Sequence, residues 1–178
     1  GVKLSDLLEE TGLKPRAKWV LAEGSDTSGM TRSIPIEKIL DDCLIAWAMN
    51  GEALRPEQGY PARLVVPGWE GNMWVKWIRR LEFGDKPYMT REETTKYTDL
   101  LTDGKARMFT WVMEAKSVVT SPSPAKPIRH KGIQQLRGLA WSGNGKIKRV
   151  DVSLDGGKNW RTAQLHAPIM TKSLVRFT

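Results

Sequence analysis

The stretch GYPARLVVPGWEGNMWVKWIRRLEF, Gly59 to Phe83, decides how this chain is read. One apolar burst, Leu64 to Val66, ends at a Pro67-Gly68 turn. Three tryptophans, a lysine and a pair of arginines follow. Such a run is either a basic, aromatic surface for nucleic acid or a buried wall around a smaller anion. A short apolar run closed by Pro-Gly reads as a strand. VKWIRRLEF reads as the next one, with Val75, Trp77 and Leu81 facing inward and Lys76 on the opposite face.

Working outward, SDLLEETG reads as a short helix. Ser5 is its N-cap, Leu4, Leu7 and Leu8 form its apolar face, and Gly12 takes the C′ position. KWVLAEGSD reads as a strand entering a polar loop, Ser25 to Ser33, and IPIEKILDD as a helical turn. CLIAWAMNGEAL reads as two strands joined at Asn50-Gly51, a strong short-hairpin signal. Residues 84–107 are polar and turn-rich and read as a long surface or lid loop. SVVTSPSPAKP reads as a linker, because three prolines so close together exclude a helix. Beyond it the pattern turns β-rich: Val150, Val152 and Leu154 alternate, then Asp155-Gly156-Gly157 and Trp160 mark a hairpin in a sandwich-like sheet.

With 178 residues the chain is one mid-sized domain or two small ones, and a 40% hydrophobic content makes it globular. No apolar run approaches the roughly 20 residues of a membrane span, and no signal peptide is present. The chain opens on Gly1 and closes on LVRFT, so it reads as a piece of a longer protein. One cysteine excludes an internal disulfide and a Cys-rich zinc site, and His130 and His166 are too few for a histidine-based metal centre. The net charge of +8 is uneven. Residues 117–178 carry eleven Lys and Arg against two Asp and Glu. That marks a second unit with an anionic ligand nearby, or simply a solvated basic face.

The residues show no nucleophile elbow, no phosphate loop and no dinucleotide fingerprint. WSGNGK reads as a β-turn. Cys43, among apolar neighbours, reads as a small buried hydrophobe. Arg63, Lys76, Arg79 and Arg80 have the chemistry to grip a phosphate. Arg79 and Arg80 equally suit an exposed face, whereas Arg63, directly before an apolar run, reads as sitting at the edge of a core, where it needs a partner. Tyr97 is either a proton carrier or a ring packed on the surface. The basic last third lacks the aromatic interleaving of a single-strand-binding platform, which weighs against nucleic acid.

Taken in order, EGSD, SIP, AMNGEALRPEQGYPARLVVPGWEGNMWVKWIRRLE and GLAWSGNGKIKRVDVSLDGGKNW resemble the sulfite oxidase family of molybdenum enzymes. KYTDLL and TSPSP are most similar to its bacterial sulfite/sulfane dehydrogenase branch. The resemblance implies an α+β fold. Part of a sulfite-oxidase-type molybdopterin domain, residues 1–118, is followed by part of an immunoglobulin-like β-sandwich used for dimerisation, residues 119–178. It implies an oxidoreductase with a molybdopterin cofactor that oxidises sulfite or protein-bound sulfane sulfur. Electrons pass to a c-type cytochrome, in the periplasm, within a homodimer of the full-length protein. Cofactor contacts fall on Asp26, Gln58 (often His in the family), Arg63, Trp74, Val75 and Lys76. The active-site tyrosine falls on Tyr97. Lys146 stands where the family has an arginine reaching toward the substrate anion, which keeps the charge and loses the bidentate geometry. The metal-ligating cysteine of the family lies upstream of this chain, and Cys43 does not match it. The chain alone is therefore expected to be inactive. The alternative is a non-catalytic cofactor-clasping and dimerising fragment, or an anion-binding module. On the main reading the opening stretch is a wall, with Arg63 and Lys76 facing the cofactor.

Overall fold

The structure, a computed structural model, describes all 178 residues and divides into two compact units, Gly1–Trp111 and Val112–Thr178. In chain order the first unit holds β1 (Val2–Lys3), α1 (Leu4–Thr11), β2 (Trp19–Gly24), β3 (Thr31–Pro35), α2 (Ile36–Asp42), β4 (Leu44–Ala46), β5 (Ala48–Met49), β6 (Glu52–Ala53), β7 (Arg63–Val65), β8 (Ile78–Gly84), β9 (Asp99–Leu100) and β10 (Ala106–Arg107). Two antiparallel three-stranded sheets carry it, ordered β3-β2-β8 and β1-β4-β7. The central strand β2 is buried along nearly its whole length.

Side chains from both sheets and both helices share one core: Leu4, Val20, Ala22, Ile34, Ile39, Leu64, Val66, Met73 and Val75 are essentially inaccessible. Such burial contributes on the order of 1.5–3 kcal/mol for each large aliphatic side chain. Cys43 lies in this core, its thiol donating to the Lys38 carbonyl at 3.2 Å. No helix is long and apolar enough to cross a membrane.

Several local expectations are met. The Asn50-Gly51 hairpin joins β5 to β6, with φ of 54° and 84° at its corner. Arg63–Val65 is a strand, and Arg79 and Arg80 are exposed. Four differ. Ser5 is not the N-cap of α1; its hydroxyl donates to Asp6 inside the helix. The chain enters the helix directly from β1, and the Leu4 amide is satisfied by the Cys43 carbonyl at 2.9 Å, so no side-chain cap is needed there. Thr31, Arg32 and Ser33 belong to β3 rather than to a loop, and Arg32 and Ser33 are fully buried. Val75, Lys76 and Trp77 precede β8 instead of alternating within it. Trp77 has φ of 50° and breaks the strand, so period-two facing does not apply to Lys76. Residues 84–107 are not one loop: Glu92–Lys96 form a π-helical turn and β9 pairs with β10.

The second unit is immunoglobulin-like and all β. It contains β11 (Lys116–Ser121), β12 (Arg137–Trp141), β13 (Asp151–Val152), β14 (Arg161–Thr162), β15 (Leu165–His166) and β16 (Val175–Phe177). Its main sheet is ordered β11-β12-β16-β15, and β13 pairs with β14 across the expected glycine-rich hairpin. SVVTS, read as linker, is most of β11, because strand pairing with β12 outweighs the proline signal that begins only at Pro122. The 118/119 boundary thus falls inside β11. Gly138 is required in β12: a Cβ there would lie 2.1 Å from the Phe177 ring and 2.6 Å from the Val118 carbonyl.

Candidate functional site

The opening stretch builds a compact cationic corner around the 3-10 turn Pro56–Gln58. Arg63, at the start of β7, turns its guanidinium back onto main-chain carbonyls: Nη1 donates to Gln58 at 2.9 Å and Nη2 to Trp74 at 2.8 Å. Its Nε is buried and has no partner. Burial pushes the guanidinium below its ordinary value, though an arginine remains charged at any physiological pH. The Lys76 ammonium donates to the Glu57 carbonyl at 2.8 Å and lies 4.4 Å from the centroid of the Trp77 ring. Trp77 Nε1 donates to the Pro56 carbonyl at 2.8 Å. Gly59, at φ 107°, lets Lys76 approach; a Cβ there would lie 2.9 Å from that of Lys76.

Asp26 belongs to the same corner through the main chain, because the Ser25 amide donates to the Trp77 carbonyl at 2.9 Å. Its carboxylate closes a local turn, accepting from the Ser28 hydroxyl and from the Met30 amide at 3.0 Å. The Ser28 hydrogen bond, with that amide, holds its carboxyl below the usual range against the effect of burial. Gln58 uses its side chain on the Arg55 amide at 3.0 Å and offers its carbonyl to Arg63. The Trp74 indole donates to the Trp69 carbonyl at 3.1 Å, and its own carbonyl holds Arg63. Val75 is 2% exposed, so its side chain packs in the core. Its carbonyl accepts from the Leu64 amide.

Trp69, Trp111 and Trp19 pack against one another as a wall rather than standing out as a platform. Trp69 stacks on Trp111 at 4.9 Å with 4° between planes, and Trp19 and Phe109 pack around Trp111. A cleft of about 560 Å³ beside the end of α1, lined by Leu8, Arg16 and Phe83 among others, contains none of these site residues.

Tyr97 lies at the end of the π-helical turn, over the guanidinium of Arg32 at 4.7 Å. Arg32 is fully buried and ion-paired to Glu93 at 2.9 Å. Neither Arg32 nor Glu93 carried a local signal, since the partners are 61 residues apart. Beside them Glu92 accepts from Thr31 at 2.9 Å and from Arg91 at 3.0 Å. Burial alone raises the Glu92 carboxyl, but its own amide, Arg91 and Thr31 together hold it low. In the second unit Lys146 is exposed, just past the Ser142–Gly145 turn.

The residues fit a phosphate-bearing pterin. Arg63 keeps one unused buried N–H, the Lys76 ammonium is held by a neutral carbonyl and the Trp77 ring with no carboxylate beside it, and Gly59 lets the two cations approach one turn. A family model described as oxidoreductase molybdopterin binding domain matches residues 1–92, and one described as Mo-co oxidoreductase dimerisation domain matches residues 107–174. The chain belongs to the molybdopterin-binding oxidoreductases of sulfite oxidase type, whose cofactor is molybdopterin with molybdenum. It is similar to mitochondrial sulfite oxidase from Drosophila melanogaster, 34% identical over 93% of the chain and 32% of that protein. A nitrate reductase [NADPH] from Mycosarcoma maydis is 29% identical over 94% of the chain and 21% of its own length. The sulfane dehydrogenase SoxCD from Paracoccus pantotrophus superimposes with a TM-score of 0.95 at 65% identity, over 99% of this chain and 46% of that one. The chain thus spans about a third of the curated sulfite oxidase and under half of the solved chain.

Proposed function

We propose that the chain is the cofactor-clasping and dimerising part of a molybdenum-dependent dehydrogenase of sulfur compounds. The observation that carries this is 65% identity to a sulfane dehydrogenase over 99% of the chain, together with the Arg63–Lys76 corner. The substrate is sulfite or sulfane sulfur on a carrier protein, the acceptor a c-type cytochrome, and the setting the periplasm. The cysteine that ligates the metal belongs to the longer protein, which acts as a homodimer.

When bound, the molybdenum cofactor supplies two-electron chemistry at sulfur; for sulfite and water the products are sulfate, two protons and two electrons. Arg63 and Lys76 would neutralise the cofactor phosphate with their charges, Lys76 by exchanging a neutral carbonyl for an anion. Gln58, Trp74 and Val75 orient Arg63 and its strand by main-chain contacts. Asp26 closes the 26–30 turn, which the Ser25 amide ties to the Trp77 carbonyl. Tyr97 passes a proton with its phenol. Lys146 draws in the anionic substrate with its exposed ammonium.

The test is the metal content of the full-length protein from its own host, followed by sulfite and thiosulfate turnover with cytochrome c. About one molybdenum per chain with turnover supports the proposal. A folded, metal-free protein leaves the corner as scaffold and favours a non-catalytic module.

A further inference from the structure

We infer that Arg32 is a positioning residue for Tyr97, a role that rests on the reading of Tyr97 as the proton-carrying phenol. Three hydrogen bonds set the plane of the Arg32 guanidinium. Nε and Nη2 grip the two oxygens of Glu93 at 2.9 and 3.2 Å, and Nη1 donates to Asn72 Oδ1 at 2.7 Å. Both charged side chains are inaccessible to solvent. The Tyr97 ring covers the guanidinium face at 4.7 Å to its centroid. A desolvated cation under an aromatic ring attracts it more strongly than an exposed one, and the fork of an arginine fixes direction as a lysine cannot.

The main chain of Tyr97 is held as well. Its amide donates to the Glu92 carbonyl at 2.9 Å, and its carbonyl accepts from Thr110 at 3.1 Å. Backbone and ring face are thus both restrained. The same guanidinium ties Tyr97 to the cofactor corner, because Asn72 lies two residues before Trp74, whose carbonyl holds Arg63. Glu93 also accepts from the Ser33 amide at 3.1 Å, so the whole device is anchored to β3, a strand of the buried sheet.

The test uses the full-length holoenzyme labelled with 3-fluorotyrosine, with the Tyr97 resonance assigned by its loss in Tyr97→Phe. Arg32→Met combined with Glu93→Gln removes the cation without stranding a buried charge. Its kcat with sulfite and cytochrome c is expected to fall about tenfold or more, as small misplacements of reacting groups do, with KM nearly unchanged. The Tyr97 line should shift or broaden while the other tyrosine lines stay in place. Arg32→Lys should restore part of both, and it serves alone if the double variant does not fold. Wild-type kcat and an unmoved Tyr97 line in the Arg32 variants, with Tyr97→Phe slow, would overturn the positioning role. An unchanged kcat in Tyr97→Phe would instead overturn the proton-carrying role of Tyr97, and the positioning role with it.

Discussion

The guanidinium of Arg32 and the carboxylate of Glu93 meet at 2.9 Å with neither side chain exposed. They join β3 to the π-helical turn, and Thr31–Glu92 and Ser33–Tyr88 contacts flank them on the same strand. The segment carrying Tyr97 is therefore clamped rather than free to act as a lid. Removing one partner strands a buried charge, so Glu93→Ala should destabilise the fold by about 3–5 kcal/mol. Urea unfolding checks this, and a loss below 1 kcal/mol would show that water reaches the pair.

Arg63 should govern cofactor retention. Arg63→Met deprives the Gln58 and Trp74 carbonyls of their donors and removes the half-buried charge. Charge-assisted hydrogen bonds contribute about 1.5–3 kcal/mol each, so losing one to the cofactor weakens retention by roughly 10- to 100-fold. Molybdenum content after gel filtration of the full-length variant reads this out. Full metal occupancy in Arg63→Met would place the cofactor phosphate elsewhere.

Gly24 is a second pressure point for the same corner. A Cβ there would lie 2.7 Å from the Lys76 carbonyl and 3.0 Å from Asp26 Oδ1. Gly24→Ala must push the Lys76 main chain away, at about 1–3 kcal/mol for overpacking. Thermal melting should show the loss, and the full-length variant should bind less molybdenum even below its melting temperature. An unchanged melting curve would mean that the 24–26 turn yields freely.

Asp155 gives a pH signature in the second unit. Hydrogen bonds from the amide and side chain of Asn159, with Ser153, lower its carboxyl from 3.8 to about 2. The folded value is the depressed one. The turn's contribution is thus fully present above about pH 4 and is lost as pH falls through the folded value. Carbon-detected NMR titration should find Asp155 ionised down to about 2, and Asn159→Ala should return it toward 3.8. An unperturbed titration in the native protein would break the proposed turn.

What the sequence by itself determined is what neighbouring residues decide. The Asn50-Gly51 corner, the stop at Pro67-Gly68 and the Asp155-Gly156-Gly157 hairpin follow from local backbone preference, and each is present. The ordered motifs were enough to place the chain in its family, and Arg63 was legible as a core-edge cation that needs a partner because it opens an apolar run. The tertiary structure decided the rest through long-range contacts. Arg32 looked like a loop cation, yet Glu93, 61 residues on, makes its burial tolerable. Ser5 looked like a cap until the Cys43 carbonyl took its place. Lys76 owes its direction to the break at Trp77 and the Glu57 carbonyl, and strand alternation plays no part in it. A charge can enter a core only with its partner, and the sequence does not say where that partner will be until the chain has folded.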